Sequence, residues 1–169
     1  TFKEITWWCK ENIQSAGLPF DAELPAASRT LSPSDFGFHN SLRRGDSENV
    51  FLDFEYFGWD DPAKMISDYL LHPASILDED LKRRFAHTII RGFDDSPDLA
   101  RRVEAVYPLF GLKWCLIILN EFLSEHLLRR GFVGEPEEEE SEVQAKQLEK
   151  ARTMLGRISS EYQHFSYYD

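Results

Sequence analysis

Cysteine is scarce in this chain of 169 residues, which contains only Cys9 and Cys115. Each lies beside a tryptophan, and neither has a second Cys or His at the spacing of a metal site. A disulfide scaffold and a cysteine-based metal site are therefore not indicated. We expect two buried, reduced thiols in a cytoplasmic protein.

Positive charge is also scarce, since 19 Lys and Arg stand against 30 Asp and Glu, for a formal net charge of −11. Such a chain repels phosphate backbones and anionic lipid, so we expect no nucleic-acid partner. Long apolar runs are missing as well. The longest, Trp114 to Leu119, is too short to cross a bilayer, and no leader precedes it, so we expect no membrane association.

The sequence is rich in core-forming residues, with 42% hydrophobic and 14% aromatic content. This composition predicts a folded globular protein, and the length predicts a single domain over residues 1–169. Helical periodicity begins at Phe2 with no capping sequence before it, which suggests that the chain is a fragment of a longer protein.

Apolar spacing predicts a mainly α fold with one small β-hairpin, of the α+β class. The hairpin is expected between Asn40 and Phe54, turning at Gly45 to Glu48. One of Asp60 and Asp61 is expected to cap the helix after Pro62. A glutamate-rich stretch over 134–142 predicts a solvated linker. Helices are predicted over residues 2–14, 63–71, from about 79, and over about 96–107, 109–130 and 143–162.

Three polar residues within the segment 31–56 have a chemically informative spacing. Asp35 is followed five residues later by Asn40, and the predicted hairpin then leads to Asp53. Phosphoryl transfer uses a carboxylate at the acceptor hydroxyl, an amide oxygen on a metal ion and a second carboxylate on that metal. The hairpin should bring Asn40 and Asp53 to one end of two adjacent strands, so this order of residues predicts a phosphotransferase site.

The segment from Leu31 to Leu71 resembles the aminoglycoside phosphotransferase and choline kinase family, which has a protein-kinase-like fold. The loop of that family reads His-Gly-Asp-x-x-x-x-Asn, and the strand after it reads hydrophobic-Asp-Phe/Trp-Glu. Asp35 and Asn40 match the loop, and Leu52-Asp53-Phe54-Glu55 matches the strand. Pro33-Ser34 stands where the family has His-Gly.

The resemblance implies a role for each matching residue. Asp35 would be the catalytic base, Asn40 and Asp53 would bind Mg²⁺ together with the co-substrate ATP, and Asp68 in the next helix would support the loop. Glu55 is left without a definite role. The helices of residues 63–169 would form the subdomain that binds the acceptor, a small hydroxylated molecule such as a sugar, an aminoglycoside-like compound or an amino alcohol.

The resemblance also implies a partner lobe. Members of the family hold ATP with an N-terminal lobe, and no segment of this sequence corresponds to it, nor does any segment match a P-loop. This chain therefore resembles a C-terminal lobe alone. We expect the N-terminal nucleotide lobe in the native chain, and we expect the isolated lobe to be inactive.

Two other functions stay open. A binding or scaffold module could keep this fold without catalysis, which the absent His before Asp35 and the absent nucleotide lobe favour. A metal-dependent phosphoester hydrolase could use Asp35, Asp53 and Glu55 without ATP. The histidines lack ligand spacing, so His39 and His72 are expected to be structural.

Overall fold

The computed structural model describes residues 1–18, 20–75, 77–93, 96, 98–123 and 140–168. It is mainly helical, which confirms the predicted class. The helices within the described ranges are α1 (Phe2–Ser15), α2 (Pro62–Leu71), α3 (Glu79–Gly92), α4 (Leu99–Ile118) and α5 (Glu140–Glu161). A short 3-10 turn over Leu119–Phe122 continues α4.

Two antiparallel strand pairs lie between α1 and α2. They are formed by β1 (Thr30–Ser32) with β4 (Gly58–Asp60), and by β2 (Ser41–Arg44) with β3 (Glu48–Phe51). The β2–β3 hairpin was predicted, and Gly45 in its turn has a φ of +61°. The β1–β4 pair was not predicted, because each strand has only three residues and its partner is distant in sequence.

The core is built around α4, which packs against α2, α5 and α1. Its buried side chains include Leu99 and Val103, which join Ile5, Ile66 and Ile158 of the other helices. The segment Leu99–Phe122 is also long and apolar enough to cross a membrane, with a mean hydropathy of 1.4. Of the apolar 18-residue window within this segment, 44% is buried inside the fold, and core helices of soluble proteins can have the same length and composition.

Two predicted boundaries are wrong. A helix break was expected at Pro108, but α4 runs through it without interruption. Proline removes one helical N–H donor, and burial of the flanking Tyr107 and Leu112 outweighs that loss. The acidic linker was expected to reach residue 142, but residues 140–142 begin α5. The rest of that linker and the predicted helical stretch 124–130 lie outside the described residues.

The start of α2 fixes the part of the chain nearest the candidate site. Asp61 caps this helix, since its Oδ1 accepts a hydrogen bond from the Ala63 N–H at 2.7 Å. The expectation that one of the two aspartates is a cap is thereby confirmed. Arg102 of α4 also donates to Asp61 Oδ1 at 3.0 Å, so this end of α2 is tied to the core helix.

Both cysteines are buried free thiols, as predicted. Cys9 lies on α1 in the core, where burial raises its pKa to about 12. Burial also raises the pKa of Cys115 on α4. Neither thiol is therefore a reactive nucleophile in the folded protein.

Candidate functional site

The loop after β1 changes direction at Ser34. This residue has a φ of +67°, in the left-handed region where glycine is the usual residue. The Ser34 N–H donates to Ser32 Oγ at 3.0 Å, and Ser34 Oγ accepts from Lys64 Nζ at 3.0 Å. Ser34 is also the position at which the resembling family has glycine, and the backbone angle gives a physical reason for glycine there.

Asn40 closes this loop back onto Asp35. Its Nδ2 donates to the Asp35 backbone carbonyl at 2.9 Å, and its own N–H donates to the Gly37 carbonyl at 3.1 Å. The side-chain nitrogen is therefore used within the loop. The amide oxygen Oδ1 is the atom with which Asn40 could bind a hard cation.

Asp53 lies at the end of the hairpin, directly after the residue that is bonded to Asn40. The Leu52 N–H donates to the Asn40 carbonyl at 2.8 Å, which extends the β2–β3 ladder by one more bond. Asp53 follows directly, is exposed and has a φ of +60°. An L-residue in this region costs about 1 kcal/mol, with Asp and Asn tolerating it best. Asn40, just before β2, and Asp53, just after β3, therefore stand at the same end of the two strands.

The Asp35 side chain is held through one oxygen. Its Oδ1 lies 3.0 Å from His39 Nε2 and 3.3 Å from His72 Nε2. The two imidazole rings stack with centroids 3.9 Å apart and planes 4° from parallel. The side chain of Asp35 is 46% exposed, so the carboxylate remains accessible from the solvent side.

Asp68 on α2 lies beneath the loop and is only 6% exposed. Its Oδ1 accepts from Trp114 Nε1 at 3.0 Å and is paired with Lys113 Nζ. Its Oδ2 lies 3.4 Å from Lys64 Nζ, which also donates to Ser34 Oγ. Asp68 therefore connects α4 with the loop. Its supporting role remains a prediction, and these contacts define how it would act.

A cleft of about 290 Å³ opens beside Asp35. Phe36 and Tyr69 stack within it at 5.0 Å between ring centroids. The cleft is lined by Phe36, Gly37, Phe38, His39, Tyr69, His72, Ala74 and Ser75. Its walls are thus mostly aromatic and include both imidazoles that contact the Asp35 carboxylate.

The described residues do not assemble the carboxylates of the hydrolase alternative. Within that part of the chain, Asp35, His39 and His72 form the one group of three metal-capable side chains of the His, Cys, Asp and Glu types. Asp53 and Glu55 are exposed and belong to no such group with Asp35. The geometry therefore gives that alternative no support.

Three contributors to the site were missed by sequence reasoning: His72, Lys64 and Trp114. His72 was expected to be a structural histidine, because nothing in its local sequence connects it with Asp35. Lys64 carried a readable signal, since it precedes Asp68 by four residues on a predicted helix and such pairs share a face. Trp114 was predicted to be core, and its indole is partly buried against the core cluster.

Comparison with known proteins returns no match: no family model, no curated protein and no solved structure is similar to this chain. The support for a function therefore lies in the geometry of the loop and hairpin, together with the resemblance of residues 31–71.

Proposed function

We propose that this chain is the C-terminal lobe of a small-molecule kinase, which transfers the γ-phosphate of ATP to a hydroxyl group. The main support is the linked arrangement of the three polar residues. Asn40 bonds the Asp35 carbonyl at 2.9 Å, and Leu52, the residue before Asp53, donates its N–H to the Asn40 carbonyl at 2.8 Å. A base and two oxygen ligands so arranged are the groups that phosphoryl transfer requires.

Each residue has a distinct task in this proposal. Asp35 orients the acceptor hydroxyl and takes up its proton at a carboxylate oxygen as the hydroxyl oxygen attacks the γ-phosphorus. The bond from that phosphorus to the β,γ-bridging oxygen breaks, and ADP leaves with the electron pair. Asn40, through Oδ1, and Asp53, through its carboxylate, would hold Mg²⁺, because amide and carboxylate oxygens suit that ion. Bound Mg²⁺ supplies the positive charge that stabilises the transferring phosphate.

The cleft beside Asp35 is the proposed acceptor site. Its volume of about 290 Å³ suits a molecule of about one ring. Phe36 and Tyr69 stack on each other, and Tyr69 also stacks on Phe85 at 4.0 Å, which gives the cleft an aromatic wall against which the C–H groups of a small ring compound could pack. We therefore favour a small hydroxylated ring compound as the acceptor.

The exposed apolar surface supports the proposed nucleotide lobe. Such surfaces on soluble proteins mark interaction sites. A groove lined by Pro33, Phe36, Phe51, Leu52 and Phe54 lies in this region. Nine large hydrophobic side chains between residues 31 and 59 are exposed: Leu31, Phe38, Leu42, Phe51, Leu52, Phe54, Tyr56, Phe57 and Trp59. An N-terminal lobe seated here would cover them beside Asp53. The buried free thiols support the proposed cytoplasmic location.

The same apolar surface is the observation that favours the second candidate, a non-catalytic binding module. A scaffold protein would use it to hold a partner and would need no metal. Nucleotide binding separates the two candidates, because the binding module has no reason to take up MgATP.

The test is ATP consumption by the full native chain with Mg²⁺ and a panel of small hydroxylated acceptors. Asp35→Asn should lower kcat by about a hundredfold or more while sparing the KM for MgATP, because it removes the base and keeps the shape. Asp53→Asn should raise that KM, since asparagine tolerates the left-handed backbone but lacks the charge. Asp46→Asn in the exposed hairpin turn is the matched control and should change neither constant.

The possible results separate the candidates. Acceptor-dependent turnover that is lost in Asp35→Asn supports a kinase. Equal turnover of Asp35→Asn and wild type removes Asp35 from the chemistry. Absence of both turnover and MgATP binding in the full native chain supports the binding module.

A further inference from the structure

Ser34 is the central residue of a strained three-residue turn, which we call the Ser34 turn (residues 33–35). The Asp35 N–H donates to the Pro33 carbonyl at 2.8 Å, across only two residues of the chain. Together with the φ of +67° at Ser34, this bond defines a γ-turn of the rare kind with positive φ. A residue with a Cβ keeps such a conformation only where its surroundings hold it there. The direction in which Asp35 leaves the turn therefore depends on what holds Ser34.

Two side chains contact Ser34 from opposite sides in the sequence. The Ser34 N–H donates to Ser32 Oγ at 3.0 Å, and Ser32 at the end of β1 is only 1% exposed. Lys64, in the first turn of α2, donates from Nζ to Ser34 Oγ at 3.0 Å. The contact from Lys64 joins residues that are 30 positions apart, so it ties the Ser34 turn to α2 and not merely to its own loop.

The ammonium group of Lys64 is itself held by two carboxylates. Its Nζ donates to Asp60 Oδ2 and lies 3.4 Å from Asp68 Oδ2. Asp68 is buried and accepts from Trp114 Nε1 of α4. An ammonium group carries three N–H donors, so it can bond Asp60 and Ser34 at the same time. The Lys64 ammonium is thus held in place by charge and presents one N–H to the Ser34 hydroxyl.

We infer that Lys64 is a positioning residue for Asp35. By donating to Ser34 Oγ it holds the Ser34 turn against its backbone strain, and this turn sets where the Asp35 carboxylate stands relative to the acceptor hydroxyl. The inference rests on the proposed phosphotransferase function for its catalytic meaning. The holding of the turn by Lys64 can be measured without any catalysis.

The turn is tested first, by amide hydrogen exchange of the full native chain followed by NMR. Lys64→Met removes the donor and keeps a long side chain. We expect the Asp35 N–H, which is bonded to the Pro33 carbonyl, to exchange at least about tenfold faster in this variant. An unchanged exchange rate in Lys64→Met, or a wild-type Asp35 amide that exchanges as fast as in an unfolded chain, overturns the inference.

Two controls accompany this measurement. The Leu52 N–H is bonded to the Asn40 carbonyl in the neighbouring hairpin and should keep its exchange rate in Lys64→Met. Lys82→Met is the matched variant, because Lys82 donates to Glu79 within α3 at 2.7 Å. It should leave the exchange of the Asp35 amide unchanged.

The catalytic consequence is tested by ATP consumption with the same acceptors. Ser34→Ala removes the hydroxyl and keeps the Cβ. It should lower kcat about ten- to hundredfold at constant KM for MgATP, because a displaced base costs rate and not nucleotide binding. Ser34→Gly also removes the hydroxyl, but glycine adopts a positive φ without strain and should keep kcat within about threefold of wild type. Lys64→Met should behave as Ser34→Ala does.

The outcomes separate this inference from the proposed function. Equal kcat in Ser34→Ala and wild type, or equal losses in Ser34→Ala and Ser34→Gly, contradict the positioning role, while loss of turnover in Asp35→Asn still supports the kinase. Wild-type protein with no turnover, but with an Asp35 amide whose protection depends on Lys64, contradicts the kinase proposal and leaves the holding of the turn in place.

Discussion

Replacing Asp68 by alanine removes the carboxylate that connects α4 with the loop. In the folded protein this side chain is 6% exposed and accepts from Trp114 Nε1 at 3.0 Å. It is also paired with Lys113 and, at 3.4 Å, with Lys64. Alanine leaves the indole N–H without its acceptor and both ammonium groups without this counter-charge.

The size of the effect follows from how exposed the partners are. A hydrogen bond to a buried carboxylate contributes about 2 kcal/mol to the free energy of unfolding. The lysine side chains are 37% exposed at Lys113 and 26% exposed at Lys64. Solvent screening therefore limits each ion pair to about 0.5 kcal/mol. Asp68→Ala should lower the free energy of unfolding by about 3 kcal/mol, and Asp68→Asn, which keeps an acceptor for Trp114, by about 1 kcal/mol.

The assay is urea unfolding followed by far-UV circular dichroism, with a thermal melt in parallel. A loss of about 3 kcal/mol corresponds to a fall in Tm of about 10 °C for a chain of this size. Asp46→Ala, on the exposed hairpin turn, should stay within about 0.5 kcal/mol of wild type. Equal stability of Asp68→Ala and wild type would refute the role of Asp68 in connecting α4 with the loop. Equal losses in the alanine and asparagine variants would mean that the charge, and not the indole bond, carries the effect.

Two further predictions concern the core. A Cβ on Gly111 would lie 2.5 Å from Ile158 Cγ1 and Cδ1, so Gly111→Ala should lower the free energy of unfolding in urea by about 1–3 kcal/mol. Gly92→Ala is the control, because a Cβ on Gly92 would have no atom within 4 Å. Equal stability of Gly111→Ala and wild type would contradict the close packing of Gly111 against Ile158. Burial raises the pKa of Cys9 from 9.0 to about 12. The buried neutral thiol therefore contributes to the free energy of unfolding in full below pH 9, and this contribution is lost as the pH rises towards 12. Cys9→Ala should flatten the fall of the unfolding free energy at alkaline pH. Parallel curves of unfolding free energy against pH for wild type and Cys9→Ala would contradict the raised pKa of Cys9.

The predictions that held were those determined by neighbouring residues. The β2–β3 hairpin follows from a short turn with Gly45 between two strands, and the cap at Asp61, expected of one of Asp60 and Asp61, follows from local hydrogen bonding. The prediction failed at Pro108, where local propensity favours a break and burial in the middle of α4 favours continuity. Tertiary packing is the stronger effect there.

The candidate site also combines features that follow from local sequence with contacts that only tertiary packing makes. The five-residue spacing of Asp35 and Asn40 is a property of one loop, and the hairpin carries Asp53 back to it. No local pattern connects Asp35 with His72 or Asp68 with Trp114, because these contacts join the loop, α2 and α4 across long sequence separations. Only the tertiary packing of the loop against α2, and of α2 against α4, brings them together.

The sequence by itself determined the helical class, the hairpin and the order of the three polar residues, because periodicity, turn chemistry and spacing act over a few residues. The tertiary structure alone decided what surrounds Asp35. It placed the end of α2 so that the imidazole of His72 meets the carboxylate, and it set the Ala74 N–H against that ring. The contact between His72 and Asp35 is thus a consequence of packing, which no pattern of residue types encodes.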